Sequence, residues 1–218
     1  MLFAVSMAAF SQNSFPGGEP SRKLLKAQET ADINFTKGDY GSALEVYEHK
    51  LAPLGDKYSQ YMVGYMYLAG KGVQEDAILA SAWYRLAAQR ENAQYIRIRD
   101  GLLVLFTDEQ RSRSDQLYVE LRQNMGDLVL ISKLIRGDIQ VLRRRTGTEF
   151  FIQAETERGN FGQQLDVFDA AADRINSRLV FLERQMAAET TLEESEKTRL
   201  AAVIREATRE VDAYVASR

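Results

Sequence analysis

The sequence predicts an all-α protein, in which a short α-solenoid of helical hairpins precedes a C-terminal antiparallel hairpin of the coiled-coil type. Three observations lead to this prediction. Proline, which interrupts helices, occurs only at Pro16, Pro20 and Pro53 in a chain of 218 residues. Apolar residues recur at three- and four-residue steps from residue 21 onward, as on one face of a helix. Between 165 and 186 these steps alternate strictly, which is the pattern of a heptad seam.

The repeat region is expected to span 21–125 and to open with a hairpin. Ser21 is a suitable N-cap for the first helix, and Gly38 is a residue that commonly ends one. The second helix follows from Tyr40 and stops near Pro53. Because the turn between the two helices is short, we expect them to pack side by side.

The next hairpin contains the segment LAGKGV, for which two interpretations exist. A phosphate-binding loop requires Gly and Lys followed by Ser or Thr, with a strand before the loop. Here Lys71 is followed by Gly72, and the preceding segment has helical spacing. Glycines at positive φ that reverse the chain between two helices explain Gly70 and Gly72 more simply. The sequence therefore predicts a turn.

A third pair of helices is predicted over 92–124. Gln60-Tyr61 recurs as Gln94-Tyr95, 34 residues later, and this is the length of a tetratricopeptide repeat. Thr107 with Gln110 has the spacing of a capping box, which marks the start of a helix.

The segment GDKYSQYMVGYMYLAGKGVQEDAILASAWYRLAA resembles a Sel-one-like repeat, the longer bacterial relative of the tetratricopeptide repeat. The residues that match the pattern of that family are Gly64, Tyr67, Gly70, Gly72, Val73, Asp76, Ala80, Trp83, Tyr84, Ala87 and Ala88. Tyr58 and Val63 depart mildly from it, and the flanking units at 24–54 and 92–124 match less well. The resemblance implies a protein that binds other proteins.

The matching residues also have physical roles that do not depend on the resemblance. Small residues such as Gly64 and Ala80 allow two helices to cross closely, and Trp83 and Tyr84 can fill the space between hairpins. The candidate partner-binding residues on the remaining surface are Tyr61, Tyr65 and Arg85.

A linking helix is predicted over 126–146, a loop over 147–162 and the C-terminal hairpin over 163–218. Arg143, Arg144 and Arg145 are candidates for contact with an anion, or they are the solvated end of a helix. The seam consists of Leu165, Phe168, Ala172, Ile175, Leu179, Leu182 and Met186. It either packs within the chain or forms a homodimer, and a second helix capped by Thr191 and Glu194 follows it.

Composition excludes several kinds of site. With no cysteine, and with His49 as the single histidine, the chain cannot build a thiolate site, a zinc finger or a multi-histidine metal site. We therefore expect no cofactor. The net charge of −3 argues against a nucleic-acid partner, and no apolar run beyond the first residues is long enough to span a membrane.

These observations predict a non-catalytic adaptor that binds a protein or peptide. The alternatives are a structural component that self-associates through the C-terminal hairpin, and an enzyme with a carboxylate-only site. The apolar run from Leu2 to Phe10 resembles part of a signal peptide, with a cleavage site before Gln12. Residues 1–20 are thus predicted to be a signal-peptide remnant and a disordered N-terminus, and the protein to be periplasmic or secreted, with a cytoplasmic location as the alternative.

Overall fold

The structure, a computed structural model, describes residues 21–144 and 161–217, with side chains from 166 onward in the second range. All regular structure in these two ranges is helical, and no strand occurs in them, which confirms the all-α prediction. The chain divides into two compact units between Leu130 and Ile131. Three predicted features lie outside the described residues: the signal-peptide remnant with the disordered N-terminus (1–20), Arg145, and the loop up to residue 160.

The helices of the first unit are α1 (Arg22–Lys37), α2 (Tyr40–Val46), α3 (Lys57–Leu68), α4 (Ala77–Ala87), α5 (Ala93–Leu105), α6 (Asp108–Met125) and the start of α7 (Asp127–Arg144). The helix α2 continues through a π turn (Tyr47–Leu51) and a 3-10 turn (Ala52–Leu54) before Gly55 ends it at φ +82°. The second unit contains the rest of α7, α8 (Phe161–Ala188) and α9 (Glu194–Ala216).

The predicted caps determine where two of these helices begin and end. The Ser21 side chain accepts a hydrogen bond from the Leu24 amide at 3.3 Å, and Gly38 ends α1 at φ +83°. Thr107 and Gln110 form a reciprocal capping box: the Gln110 amide donates to the Thr107 hydroxyl at 3.3 Å, and the Thr107 amide donates to the Gln110 side chain at 3.0 Å. These sequence-based helix boundaries are confirmed.

The core of the first unit lies where α1 packs on α2, the π turn on α3, and α3 on α4. Its largest fully buried side chains include Trp83, Tyr47, Tyr84 and Met66. Each aromatic ring of this kind buries roughly 150–250 Å², and this burial dominates the stability of a small helical unit. The core therefore depends on aromatic residues that the 3-4 spacing places on the inner faces of the helices.

Helices α3 and α4 cross closely at Gly64. A Cβ atom added at Gly64 would lie 3.2 Å from the Ala80 carbonyl oxygen and 3.2 Å from the ring of Tyr84. Both Gly64 and Ala80 are buried. Small residues at this position therefore set the distance between the two helices, as expected from the sequence.

The predicted third pair differs from the second. Helices α5 and α6 each pack on α4 and do not form a close pair with each other. The position 34 residues after Gly64 is Ile98, so the third pair lacks the glycine at which α3 and α4 cross. Helix α6 instead crosses α4 through two buried serines, Ser81 and Ser114, whose hydroxyl oxygens lie 2.7 Å apart.

In the second unit, α8 buries most of the predicted seam within the chain. Ile175 and Leu182 are fully buried, Phe168 and Ala172 are nearly so, and Leu179 and Met186 are half-buried; the side chain of Leu165 lies outside the described residues. The apolar face of α9 is buried in the same unit, through Leu200, Val203, Ala207, Val211 and Tyr214. Helices α8 and α9 pack against each other.

The start of α9 differs from the prediction. The helix begins at Glu194 with Glu193 as its N-cap, and the Glu193 amide donates a hydrogen bond to the side chain of Glu196 at 3.1 Å. Thr191 does not cap the helix, because its hydroxyl donates to Glu189 at 2.6 Å in the preceding turn. A competing local hydrogen bond thus moves the helix start by two residues.

Candidate functional site

The segment LAGKGV connects α3 to α4. Gly70 and Gly72 have φ values of +61° and +74°, a region that favours glycine. The Lys71 ammonium lies 4.6 Å from the centre of the Tyr40 ring and 3.2 Å from its hydroxyl. Asp76 then caps α4 by accepting a hydrogen bond from the Leu79 amide at 2.8 Å. Since Lys71 contacts Tyr40 and a helix precedes the loop, the arrangement is that of a turn.

The remaining residues of the repeat motif lie in the core or against it. Trp83, Ala87 and Ala88 are buried on α4 and the 3-10 turn that follows it. The Tyr67 hydroxyl donates to the Glu48 carboxylate on the π turn at 3.2 Å. These residues therefore connect neighbouring helices.

Two of the three candidate partner-binding residues, Tyr61 and Tyr65, lie on one continuous surface of half-buried rings. We name this surface the aromatic face, and it consists of Phe35 on α1, Tyr58, Tyr61 and Tyr65 on α3, and Tyr95 on α5. Tyr61 and Tyr95 stack, with ring centroids 5.0 Å apart and planes at 18°. Phe35 and Tyr65 pack at 6.0 Å with a tilt of 60°.

On its inner side, the ring of Tyr61 packs on the buried ring of Tyr84 of α4, with the ring centroids 5.6 Å apart. The Tyr58 hydroxyl is held by Asp32 of α1, to which it donates at 3.2 Å. The rings are thus fixed by packing and hydrogen bonds while part of each ring stays exposed. Rigid, half-exposed tyrosines are typical of binding surfaces, because they offer contact area and lose few rotamers on binding.

The third candidate, Arg85, is not part of this face. Its guanidinium contacts α6, where it pairs with Asp115 at 2.5 Å and lies 4.3 Å above the ring of Tyr118. Successive residues of a helix point about 100° apart. Because Tyr84 packs against Tyr61 on α3, the side chain of the next residue, Arg85, points away from the aromatic face and toward α6.

Arg143, the first of the three arginines predicted to contact an anion, pairs with residues of the chain itself. Arg143 pairs with Glu206 at 2.7 Å and Glu210 at 2.8 Å, both on α9. These two carboxylates raise the pKa of the Arg143 guanidinium above its ordinary value, with Glu210 as the larger cause. Arg144 is exposed at the end of α7, and Arg145 lies outside the described residues. Of the three arginines, only Arg144 is described as exposed.

A second group of polar residues, absent from the sequence prediction, surrounds the buried Lys57 at the start of α3. Its ammonium donates to Gln60 at 3.0 Å, to the Leu86 carbonyl at 2.9 Å and to Gln89 at 3.1 Å, and it lies 3.1 Å from Asp127. These partners occupy the donors of Lys57 within the chain, so we assign the group a structural role.

Arg90 completes this network. Its guanidinium forms a bidentate ion pair with the Asp127 carboxylate, from Nε at 2.8 Å and from Nη2 at 2.9 Å. The Nη2 atom also donates to the Gly55 carbonyl at 3.0 Å. Burial lowers the pKa of Lys57 to about 8, even though Asp127 opposes that effect. Burial alone would raise the pKa of Asp127, but Lys57 and Arg90 together hold it below its ordinary value.

No family model matches this sequence, and searches of curated proteins and of solved structures likewise return no match. The Sel-one-like resemblance stays a prediction.

Within residues 21–144 and 161–217, no group of three or more His, Asp or Glu residues is placed to hold a metal ion. None of the helices in the described ranges is both long and apolar enough to cross a membrane.

Sequence reasoning missed three members of the aromatic face. Tyr95 carries a signal in the sequence, because it follows Tyr61 by one repeat length. Phe35 and Tyr58 show only the ordinary helical spacing of core residues. Their place on the face depends on how α1 and α3 pack, which spacing within one helix does not specify.

Proposed function

We propose that the protein is a non-catalytic adaptor that binds an extended segment of another protein on the aromatic face. The observation that supports this proposal most directly is the pair Tyr61 and Tyr95, which extends the row of rings from α3 to α5. The ring of Tyr65 extends the row to α1 through Phe35. A surface that runs across three helices suits an extended peptide better than a small molecule.

The proposed architecture is a short solenoid of Sel-one-like and tetratricopeptide-like hairpins, in which α1, α3 and α5 are the first helices of successive units. Its support is the 34-residue recurrence of Gln-Tyr and the Sel-one-like pattern at 64–88. In such a solenoid, the first helices of the units lie side by side and form a common surface. The rings of the aromatic face come from these helices.

The test is selection of binders from a phage library of random peptides on the immobilised full chain. We expect peptides that bind the wild type and lose binding to Tyr65→Ala. Tyr65 is the better target, because Tyr61 also packs on Tyr84 and its loss would disturb the core. The matched control is Val180→Ala, an exposed residue of α8 in the second unit.

Circular dichroism melting of each variant establishes that it is folded. Recovery of no binder, or of binders that Tyr65→Ala retains at full affinity, would refute the proposed function.

Self-association through the 165–186 seam is the alternative proposal. Ile175 and Leu182 are already fully buried by this chain, so a dimer would have to form by exchanging α8 between copies. Light scattering on the wild type and on Leu179→Asp tests it, and a monomer in both cases would refute the dimer.

We propose a periplasmic or secreted location on the basis of the N-terminal apolar run, and N-terminal sequencing of the expressed protein would test this location.

A further inference from the structure

Two half-buried carboxylates at the aromatic face form no ion pair with any residue that the structure describes. The first is Asp32 on α1. Its Oδ1 atom accepts hydrogen bonds from the hydroxyls of Tyr58, at 3.2 Å, and Tyr47, whereas its Oδ2 atom accepts none in the described structure. Within the described residues, no Lys, Arg or His nitrogen lies within 4.0 Å of this carboxylate.

The second carboxylate is Asp56, the N-cap of α3. Its Oδ2 atom accepts from the Ser59 amide at 3.0 Å and from the Ser59 hydroxyl. It too forms no ion pair with a described residue. Asp56 lies two residues before Tyr58, at the start of the helix that carries three rings of the face. Burial raises the pKa of its carboxyl above the ordinary value, although hydrogen bonds from Ser59 and the charge of Arg90 oppose this.

The described cations of the first unit that lie over aromatic rings contact rings outside the aromatic face. Lys71 covers Tyr40, and Arg85 covers Tyr118. Among the residues that the structure describes, no Lys or Arg covers a ring of the aromatic face. The face therefore combines exposed π surface with two carboxylates that form no ion pair with a described residue, although the charge of Arg90 acts on Asp56 from beyond that distance.

We propose that the segment bound on the aromatic face is basic, with Lys or Arg side chains that lie on the tyrosine rings and pair with Asp32 and Asp56. This inference rests on the proposed function, because it assumes that the face binds a peptide. A cation above a tyrosine ring is attracted by the negative ring face, and the apolar stem of Lys or Arg packs on the same ring. An acidic segment would instead be repelled by the two carboxylates.

The ionisation of the tyrosines agrees with this charge. Burial raises the pKa of Tyr95 to about 12, with Asp56 as the next cause and Tyr61 after it. Burial and then Tyr65 raise the pKa of Tyr61. Asp56 is therefore the carboxylate that contributes to the raised pKa of Tyr95, whereas the raised pKa of Tyr61 reflects burial and a neighbouring tyrosine.

The test uses the peptides selected from the random library on the full chain. We expect these peptides to be enriched in Lys and Arg relative to the unselected library, and their affinity to fall as the salt concentration rises. The Asp32→Asn/Asp56→Asn double variant should bind them about tenfold more weakly. Both substitutions keep the fold, because Asn still accepts the tyrosine bonds and is a good N-cap.

The matched control is Asp115→Asn, which removes the same charge from α6, where Asp115 pairs with Arg85. It should leave peptide binding unchanged. Selected peptides that lose binding to Tyr65→Ala but are acidic or neutral would overturn this inference and leave the proposed function standing. Equal binding by the wild type and the double variant would overturn it as well. A failure to select any peptide would refute both proposals.

Discussion

Tyr61 and Tyr95 lie 34 positions apart in the sequence and stack with their ring centroids 5.0 Å apart. A double-mutant cycle with Tyr61→Leu and Tyr95→Leu measures this contact. We expect a coupling energy of about 0.5–1.5 kcal/mol in urea unfolding, because a stacked aromatic pair contributes this much beyond the area that it buries. A cycle of Tyr61 with Tyr118 on α6, which has no ring contact with it in the described structure, is the control and should show additivity. Coupling as small as in the control would mean that the rings do not stack in solution.

The glycines of the connection between α3 and α4 should respond to alanine in a definite order. A Cβ at Gly72 would lie 2.6 Å from the backbone of Tyr40, and its φ is +74°. Gly72→Ala should therefore destabilise by about 2 kcal/mol or more. Gly70→Ala, where an added Cβ would make only ordinary van der Waals contacts, at 3.7 Å or more, but φ is positive, should cost about 1 kcal/mol. Gly101→Ala, in a helix with nothing within 4 Å, should stabilise by about 0.5–1 kcal/mol. Chemical unfolding of the three variants measures this order. A greater loss of unfolding free energy in Gly101→Ala than in Gly72→Ala would contradict it.

Removal of Asp127 should be among the most destabilising changes in the first unit. Asp127 is 1 % exposed, and its loss removes the carboxylate that pairs with both the buried Lys57 and Arg90. We expect Asp127→Ala to lower the free energy of unfolding by about 3–5 kcal/mol. Asp115→Ala removes an ion pair whose carboxylate is 62 % exposed and should cost no more than about 1 kcal/mol. Similar losses in the two variants would argue against the buried network.

The stability of the first unit should rise and then fall at alkaline pH. Folded Lys57 releases its proton near pH 8, whereas an unfolded lysine holds it to about 10.5, so the folded state binds fewer protons between these values. The free energy of unfolding should therefore increase over this window, by up to about 1.4 kcal/mol per pH unit.

Above pH 10 the free energy of unfolding should fall as the pH rises. Burial raises the pKa of Tyr67 and Tyr95 to about 12, so the unfolded chain loses its tyrosine protons at a lower pH than the folded chain. Urea unfolding across this range measures both limbs. In Lys57→Met the rise should vanish while the fall remains, and a rise of the same size in that variant would exclude Lys57 as its origin.

The seam on α8 should stabilise the second unit within a single chain. Ile175 is fully buried, and Ile175→Ala should destabilise by about 2–5 kcal/mol through lost burial and the cavity it leaves. Val180, on the same helix and 68 % exposed, is the matched control, and Val180→Ala should change stability by less than about 0.5 kcal/mol. Thermal unfolding at two protein concentrations distinguishes packing within the chain from packing between copies. A melting temperature that rises with concentration would indicate a dimer.

Local signals in the sequence predicted the helices well. The caps at Ser21 and Thr107 use atoms no more than three residues away, so the sequence around them contains all the information needed. The prediction failed for Thr191, where two local hydrogen bonds compete and the sequence does not rank them. Strict heptad spacing likewise predicted which face of α8 is buried, because the period of a helix follows from its geometry.

The candidate site was less predictable. The sequence predicts Tyr61, Tyr65 and Arg85 as partner-binding residues, and in the structure the two tyrosines lie on the aromatic face whereas Arg85 contacts α6. Neither Asp32 nor Asp56 carries any signal that separates it from a solvated acidic residue. The buried position of Lys57 was equally hidden, since only the approach of Leu86, Gln89 and Asp127 from distant segments explains it.

The sequence by itself therefore determined the all-helical class, most helix boundaries, the turn at LAGKGV and the buried face of α8, because each depends on backbone preferences or on the period of one helix. Only the tertiary structure decided that α5 and α6 each pack on α4, that Tyr61 meets Tyr95, and that two carboxylates border a row of aromatic rings. These features depend on the distances and angles at which helices cross. Side-chain volumes at positions such as Gly64 and Ile98 set those distances and angles jointly, and no single segment of the sequence encodes them.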